Sequence, residues 1–434
     1  MAIIAQQQLF QWHEIEQLGD LERLRLVIES LPDEFLMKRL ERARANGRND
    51  YPVRTMWNCM LAGIVFQHES IESLRRELKR NAQLRWECGV RGAVPPSWVF
   101  SRFLKRLLAE NDAIGELFER LAAETMSLMP DFGKTLAIDG KVIRSHGKPL
   151  KKGAVKTADG RRETDADWTA KVYTGQRADG TTWQKTIWQF GYRLHLLVDA
   201  QYELPVAYSV SRASESESVQ AHKLLANIKQ RQPLLLERCE VMLADRGYDD
   251  AKLLSALWDE HEIKPVIDIR NCWKDGEQTH LMAGTQNIVY DYRGNVYCHC
   301  PDTAKRLSMA YGGFEKKRNT LKYRCPAKEY ALKCKGSARC KWRSGIRIKL
   351  ETDRRIFVPI ARSSYRWERE YKKRTAVERV NSRLDVSFGF ERHYIRGLKK
   401  MSTRVGLALC VMLAMAVGRL KSRQEHLMCS LVVA

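Results

Sequence analysis

Apolar residues recur at intervals of three and four along the first 130 residues, and this spacing predicts α-helices. Residues 70–89 and 97–124 also have basic polar faces and are joined by a short link that contains Gly and Pro. Two such helices are typical of a helix-turn-helix that contacts duplex DNA, or of a scaffold whose charged faces are simply solvated. The helical spacing occurs in five segments: 18–31, 32–45, 51–66, 70–89 and 97–124.

From Thr135 onward, short apolar runs replace the helical spacing and predict buried strands. The runs at 190–200 and 204–213 are separated by three residues, which predicts a hairpin. Helical segments at 214–228 and 249–262 alternate with the strands, so we expect a mixed sheet with helices on its faces. The predicted strands are 135–143, 190–200, 204–213, 238–249, 264–270 and 355–362.

Residues 371–385 are predicted to form one α-helix with two distinct sides. At about 100° per residue, one side bears Tyr371, Arg374, Glu378, Asn381 and Asp385, and the adjoining side is apolar. Such a helix can pack on a core while its carboxylate points into a neighbouring site.

The last apolar segment, 402–420, is also predicted to be helical. Its apolar run from Val405 to Gly418 is shorter than a membrane span, so we expect a buried helix and no membrane association.

The composition adds a strong positive charge to this picture. The 434 residues include 75 Lys and Arg against 52 Asp and Glu, which leaves a net charge of +23. Such an excess indicates a polyanionic partner, because cations set against phosphates release condensed counterions. The N-terminal residues lack the basic and long apolar stretches of a signal peptide, so we expect a reducing, cytoplasmic location.

Three carboxylates stand out against this basic background. Asp139 and Asp245 each interrupt or end a predicted buried strand, and Glu378 lies on the predicted helix 371–385. Hard oxygen ligands of this type hold Mg²⁺, which shares its coordination shell with substrate phosphates. Two such ions about 3.5–4 Å apart activate the attacking oxygen and stabilise the leaving oxygen in displacement at phosphorus. The three acids therefore predict Mg²⁺- or Mn²⁺-dependent phosphoryl transfer on DNA.

Five of the 11 cysteines lie within residues 298–340, where Gly, aromatic and basic residues also accumulate. Four thiolates would form a closed tetrahedral zinc site that folds a small domain lacking a large core. The alternative is a set of free thiols in a loop. His299 is a further possible ligand, and the candidate zinc ligands are Cys300, Cys325, Cys334 and Cys340.

Several of these segments together resemble the bacterial DDE-type insertion-sequence transposases: LAIDGKVIRS, GYRLHLLVDA, PVAYSVSRASESES, LADRGYDD and YKKRTAVERVNSRL. The spacing Tyr371-x2-Arg374-x3-Glu378 is similar to the Tyr-Arg-Glu part of that superfamily's C-terminal signature. In many members a Lys follows seven residues after the Glu, but here this position is Asp385.

The resemblance implies an RNase H-like core in which Asp139, Asp245 and Glu378 bind metal ions. It further implies hydrolysis at the ends of an insertion sequence and transfer of the freed 3′-hydroxyl to target DNA. Arg374 would then hold a phosphate, and Tyr371 would contact DNA near the site. A surface helix with an Arg374–Glu378 ion pair is the alternative for these two residues.

We therefore expect an α/β protein with an RNase H-like mixed sheet, an N-terminal helical region and a Cys-rich insertion before the last acid. Its partners would be double-stranded DNA, both terminal repeats and target, and a second copy of the chain, in the bacterial cytoplasm at the nucleoid. The alternatives are a nuclease that cuts without joining and an inactive DNA-binding derivative. The predicted regions are 1–130 (helical, DNA-binding), 131–270 (core), 271–350 (insertion) and 351–434 (core and C-terminal helices).

Overall fold

The computed structural model describes residues 19–44, 49–110, 112–150, 162–303 and 305–429. The predicted helix at 70–89 is divided at Asn81, whose backbone is extended and whose side chain accepts a hydrogen bond from the Leu84 amide at 2.9 Å. This cap starts a new helix and turns the chain. The helices before the sheet are α1 (Asp20–Ser30), α2 (Glu34–Arg44), α3 (Val53–Val65), α4 (Ile71–Arg80), α5 (Ala82–Cys88), α6 (Ser97–Ala109) and α7 (Ala113–Leu128).

A six-stranded mixed sheet follows, built around β1 (Thr135–Arg144). On one side β1 pairs antiparallel with β5 (Thr182–Asp199), which also pairs antiparallel with β4 (Asp167–Gln176) and β6 (Leu204–Arg212). On the other side β1 pairs parallel with β7 (Val241–Ala244), and β7 with β8 (Lys264–Ile267). Apart from β4, the strand order is β6-β5-β1-β7-β8: the first three strands are antiparallel to one another, and the last two are parallel to β1. This is the arrangement of an RNase H-like core, and the prediction is confirmed.

The predicted β5–β6 hairpin is confirmed, but β5 is much longer than predicted. Its first half pairs with β4 from Asp167↔Gly191 to Gln176↔Thr182 and forms a two-stranded ribbon. The stretch 146–162, rich in Lys, Arg and Gly, falls mostly within residues 151–161, which are outside the described residues. The remaining elements of this part are β2 (Lys148–Pro149), β3 (Arg162–Glu163), α8 (Glu217–Arg231), α9 (Pro233–Arg238), α10 (Ala251–Ser255) and a π-helix at Ala256–Glu260.

Residues 280–349 contain two small antiparallel sheets, with strand orders β12-β11-β10-β9 and β13-β14-β15. The predicted strand at 355–362 is wrong, since this segment forms turns. The Asp353 carboxylate accepts hydrogen bonds from the Arg355 and Ile356 amides and folds the backbone back. The elements are β9 (His280–Leu281), β10 (Ile288–Tyr290), β11 (Val296–His299), β12 (Arg306–Ser308), β13 (Ala310–Glu315), β14 (Thr320–Arg324), α11 (Pro326–Glu329) and β15 (Ile346–Lys349).

The predicted helix 371–385 is two helices, α12 (Tyr365–Lys372) and α13 (Thr375–Phe388). Ser364 caps α12 by accepting a hydrogen bond from the Trp367 amide, which sets the start of α12 six residues before the predicted one. The side chains of α13 that face the core (Val377, Val380 and Leu384) are fully buried. The apolar side of this segment is therefore as predicted, although the helix is not continuous.

The final helix, α14 (Leu398–Lys421), lies in the core. The whole helix has 24 residues, more than the apolar run Val405–Gly418 alone, and by length and composition it could cross a membrane. Because 83% of its apolar window is buried inside the protein, it is a core helix, as expected.

The buried apolar residues form two clusters. The larger cluster joins the N-terminal helices, the mixed sheet, α13 and α14. The smaller cluster lies under the two small sheets and includes Trp258, Ile288, Tyr323, Ile348 and Phe357. The Cys-rich region, here the segment 272–361, therefore has a separate and smaller core.

Candidate active site

Asp139 and Asp245 lie side by side at the middle of the mixed sheet. The parallel register of β1 and β7 pairs Ile138 with Ala244, and the next residue on each strand is an Asp. Asp245 ends its strand and accepts a hydrogen bond from the Gly247 amide at 2.7 Å, which opens a short 3₁₀ turn. The sheet thus brings together two carboxylates that are more than 100 residues apart in sequence.

Glu378 lies in the first turn of α13, which packs on β1 and β5. One turn later, the Asn381 side-chain amide donates a hydrogen bond to Asp139 at 3.5 Å. The Glu378 carboxylate is half-exposed and forms an ion pair with Arg374 at 2.7 Å. This pair is the i,i+4 interaction that was the alternative to phosphate binding by Arg374.

The electrostatics of Asp139 indicate that the three acids share one pocket. Burial raises the pKa of Asp139 above its ordinary value. The charges of Asp245 and Glu378 raise the pKa further, whereas the Gly140 amide and the Arg374 charge oppose them. Ionised Asp139 is therefore disfavoured until a cation compensates for the surrounding negative charge.

A fourth acid, Glu217, reaches the same pocket and was missed by the sequence analysis. Its carboxylate is so close to Gly140 and Gly247 that a Cβ atom on either glycine would come within 2.8 Å of it. Burial raises the pKa of Glu217, Arg193 and Lys171 oppose this effect, and Asp245 and Asp139 add to it. In the sequence, the sign that another side chain approaches the two acids was Gly140, directly after Asp139, and Gly247, two residues after Asp245.

Two ion pairs and one buried hydroxyl without a hydrogen-bond partner in the described residues surround the pocket. Lys141, two residues after Asp139, forms an ion pair with Asp385 on α13. Arg246 pairs with Asp268 at 3.3 Å. The hydroxyl of fully buried Tyr248 has no hydrogen-bond partner in the described part of the chain. Burial raises the pKa of Tyr248 most, and the charges of Glu217, Asp139 and Asp245 raise it further. This hydroxyl therefore lies near the acids.

Tyr371 is adjacent to this pocket, and its ring packs against two neighbouring side chains. Its ring stacks on Trp367 with centroids 4.6 Å apart, and the Arg374 guanidinium lies 5.7 Å from its centroid. Arg374 is thus held between an aromatic ring and Glu378. These contacts orient Arg374 toward the acids, and contact of either residue with DNA stays a prediction.

The donor chemistry of the pocket fits a hard divalent cation. Its carboxylates, raised pKa of Asp139 and orphaned Tyr248 hydroxyl all point to an absent positive partner. Among the described residues, no group of three or more His, Cys, Asp or Glu side chains is arranged so that it could hold a metal ion. In this structure the Glu378 carboxylate is paired with Arg374.

The five thiols of the Cys-rich region also gather in one place. Cys298 has its pKa raised to about 12 by burial and by the nearby thiols of Cys325, Cys340 and Cys334. Cys300 and Cys334 are within hydrogen-bonding distance, and the pKa of Cys300 is lowered to about 6, chiefly by Thr303. Cys298 therefore lies near Cys325, Cys334 and Cys340, and Cys300 lies near Cys334, but in the described part of the chain these thiols are not arranged as a group that could hold a metal ion.

Comparison with known proteins identifies the family of this chain. Residues 130–414 match the family described as Transposase DDE domain, and residues 11–106 match the family described as Transposase domain (DUF772). Since the first match covers more than half of the chain, the protein belongs to the DDE transposase family.

The match also confirms the family resemblance that the sequence motifs indicated. A solved structure, the cryo-EM synaptic complex of piggyBac transposase with hairpin DNA, aligns over 97% of this chain and 80% of that chain. The identity is 10% and the TM-score is 0.38. No curated protein matches the chain.

Proposed function

We propose that this transposase cuts the DNA at the ends of an insertion sequence and joins the freed 3′-hydroxyl to target DNA. The observation that supports this most directly is the pairing of Asp139 and Asp245 on adjacent strands with Glu378 on the helix packed beside them. Burial, and then the charges of Asp245 and Glu378, raise the pKa of Asp139, which suits a pocket that binds divalent cations and phosphate together.

Asp139, Asp245 and Glu378 would hold Mg²⁺ or Mn²⁺, which supplies activation of the attacking oxygen and charge stabilisation at the leaving oxygen. When the cation binds, the Glu378 carboxylate would release Arg374 and bind the cation instead. The released guanidinium, still stacked near Tyr371, would then bind a phosphate of the DNA through its planar fork. In this proposal the Arg374–Glu378 pair is the resting form of the site.

The test compares the wild-type protein with Asp139→Ala on DNA that carries the ends of the element, with Mg²⁺ or with EDTA. Metal-dependent nicking that Asp139→Ala loses supports the proposal. Glu240→Ala is a matched control, because this exposed acid lies at the opposite end of β7 from Asp245. Equal nicking by wild type and Asp139→Ala would overturn the assignment of the acid pocket.

Two alternatives remain outcomes of the same assay. Nicked but never joined products would identify a nuclease, and binding without cutting would identify an inactive DNA-binding derivative. Because joining requires two DNA ends, we expect the active species to be at least a homodimer on DNA. Mass photometry of the protein with end-containing DNA measures this stoichiometry.

We also propose that the gathered thiols bind a structural zinc ion. The candidate ligands are Cys300, Cys325, Cys334 and Cys340, and the nearness of all five thiols supports the proposal. Elemental analysis of purified protein should find one zinc per chain. Single Cys→Ser variants at all five positions would identify which four thiols are ligands, and a full metal content in every variant would contradict the proposal.

A further inference from the structure

The β4–β5 ribbon extends beyond the rest of the sheet. In the described residues, the half of β5 at 182–190 pairs with β4 alone, whereas the half at 192–199 pairs with β1 and β6 instead. Residues 170–174 and 181–186 are all exposed. The ribbon therefore has solvent on both faces and adds almost nothing to the core.

Large aromatic side chains nevertheless accumulate on the ribbon. Trp168, Tyr173, Trp183 and Trp188 are between 38% and 64% exposed. Scattered apolar residues on a surface are ordinary, but several aromatic residues on one projecting element indicate a binding surface.

The register separates the two faces of the ribbon. Tyr173 pairs with Lys185 and Gly175 with Trp183, so these side chains share one face with Lys171. This basic-aromatic face is defined by Lys171, Tyr173, Trp183 and Lys185. The opposite face bears Trp188, opposite Ala170, and has neither lysine.

The basic-aromatic face has a fixed geometry. A Cβ atom on Gly175 would lie 2.7 Å from three atoms of the Trp183 indole, so the indole lies flat against the strand above this glycine. The Lys171 ammonium is 5.5 Å from the centroid of the Tyr173 ring. Cations thus alternate with oriented aromatic rings along the strand pair.

The same face leads to Glu217, which lies beside the acids, whereas the register pairs Asp139 with Leu196 and so places the Asp139 side chain on the other face of the sheet. Arg193 lies on this side of β5, toward the base of the ribbon, and its guanidinium donates hydrogen bonds to Thr169 at 2.8 Å and to Glu217 at 2.9 Å. Glu217 in turn lies against Gly140 and Gly247 beside the acids. A strand of DNA that left the acids in this direction would meet Arg193 first and Lys171 next.

We propose that the basic-aromatic face binds the single strand of DNA that leaves the acid pocket. Lys171 and Lys185 contact its phosphates, and Tyr173 and Trp183 stack on its unpaired bases. Aromatic rings interleaved with cations are the combination that binds single strands without sequence readout, because every base has a π-face. The inference rests on the proposed function for its ligand.

The experiment measures fluorescence anisotropy of labelled single-stranded and duplex oligonucleotides with wild type, Trp183→Ala and Trp188→Ala, all in EDTA. Trp183→Ala should weaken single-strand binding about tenfold and duplex binding much less. Trp188→Ala, which removes an equally large side chain from the opposite face of the same ribbon, should leave both affinities unchanged. Trp183→Phe should keep most of the affinity, which separates stacking from a loss of folding.

Lysine variants test the phosphate contacts separately. Lys171→Ala and Lys185→Ala should each reduce the slope of log affinity against log salt by about 0.7. Equal effects of Trp183→Ala and Trp188→Ala, or none from either, would overturn the proposal. So would unchanged DNA binding with a lost dimer, measured by light scattering, since the face would then bind a second copy of the chain.

Failure of the proposed function is distinguishable in these data. Binding in EDTA requires no chemistry, so the difference between Trp183→Ala and Trp188→Ala is measured even if Asp139→Ala and wild type nick DNA equally.

Discussion

The acid pocket and the Cys-rich region both gather potential metal ligands, the acids from distant parts of the chain and the thiols from one segment, and the two sets have different supports. Asp139 and Asp245 lie on adjacent strands of a sheet in the larger hydrophobic cluster. The five thiols lie on short strands and turns above the smaller cluster. Burial of apolar surface positions the acids without help, whereas the thiols have much less apolar burial behind them.

This difference teaches what a cation would do in each place. In the acid pocket a cation would compensate for repulsion and take part in chemistry, and the fold would persist without it. In the Cys-rich region a cation would contribute to folding itself. The predictions below test whether the two regions separate in this way.

The largest effect is expected from Asp245→Asn and Glu378→Gln. Each removes a negative charge from the pocket, and DNA cleavage should fall at least about a thousandfold, because residues of one catalytic unit fail together. Melting temperatures should stay within a few degrees of wild type. If either variant cuts DNA at the wild-type rate, the acid that it replaces is not part of the catalytic site.

The next effect is expected in the Cys-rich region alone. Zinc chelation, or Cys325→Ser with Cys334→Ser, should unfold residues 272–361 locally and leave the mixed sheet intact. Limited proteolysis with mass spectrometry measures this, and Cys59→Ser is the control because Cys59 is buried in the N-terminal helices. Simultaneous loss of protection in β1 and β7 would mean that the two regions do not separate.

Arg374→Ala should reduce cleavage by roughly tenfold to a hundredfold through loss of a phosphate contact. Because Glu378 also loses its resting partner, half-maximal activity should need less Mg²⁺ than in wild type. Titrating Mg²⁺ in the cleavage assay measures both quantities. Arg374→Lys retains the charge but not the planar fork, so it should restore the Mg²⁺ dependence but not the rate.

Glu217→Gln should reduce cleavage by about tenfold, since it removes a negative charge near Asp139 and weakens the hold on Arg193. The same change should lower the pH at which activity rises, because it removes a negative charge close to Asp139, whose pKa burial already raises. A pH–rate profile measures the shift, and an unchanged profile would leave Glu217 with a structural role only.

The smallest effect is a gain of stability in Asp139→Asn without metal. Burial raises the folded pKa of Asp139, so the folded protein favours the protonated carboxyl more than the unfolded chain does, and this stability contribution is lost as pH rises through the folded pKa. At pH 7 the Asn variant should therefore melt about 1–2 °C higher, and below pH 4, roughly the ordinary pKa of Asp, the difference should vanish. A lower melting temperature of Asp139→Asn at pH 7 would contradict the inference that ionised Asp139 destabilises the folded protein.

Much of the scaffold around the acids could be predicted from local patterns. Apolar runs ending in Asp139 and Asp245 predicted buried strands, and the three residues between 200 and 204 predicted a hairpin, because strand and turn signals are local. The β4–β5 ribbon was not predicted, since its exposed Lys, Thr and Trp residues lack the alternation of a half-buried strand. Turns at 355–362 escaped prediction because Asp353 overrides the apolar pattern.

The pocket itself depended on distant contacts. Nothing near Glu217 in sequence indicates that its carboxylate would lie over Gly140 and Gly247. The ion pair between Lys141 and Asp385 likewise joins a strand to a helix more than 200 residues away. Asp385 occupies the position where many members of the family have a Lys. The ion pair with Lys141 places a cation next to this residue, beside the acids.

The sequence by itself determined the class of residue at each critical point: carboxylates at strand ends, an apolar side on α13, clustered thiols and an excess of positive charge. These depend on residue type and on periods of two and 3.6, which act over a few neighbours. Only the tertiary structure decided that Asp139 and Asp245 are adjacent, that Arg374 holds Glu378, and that Glu217 is a fourth acid. Those relations come from strand register and helix docking, which the whole core sets at once.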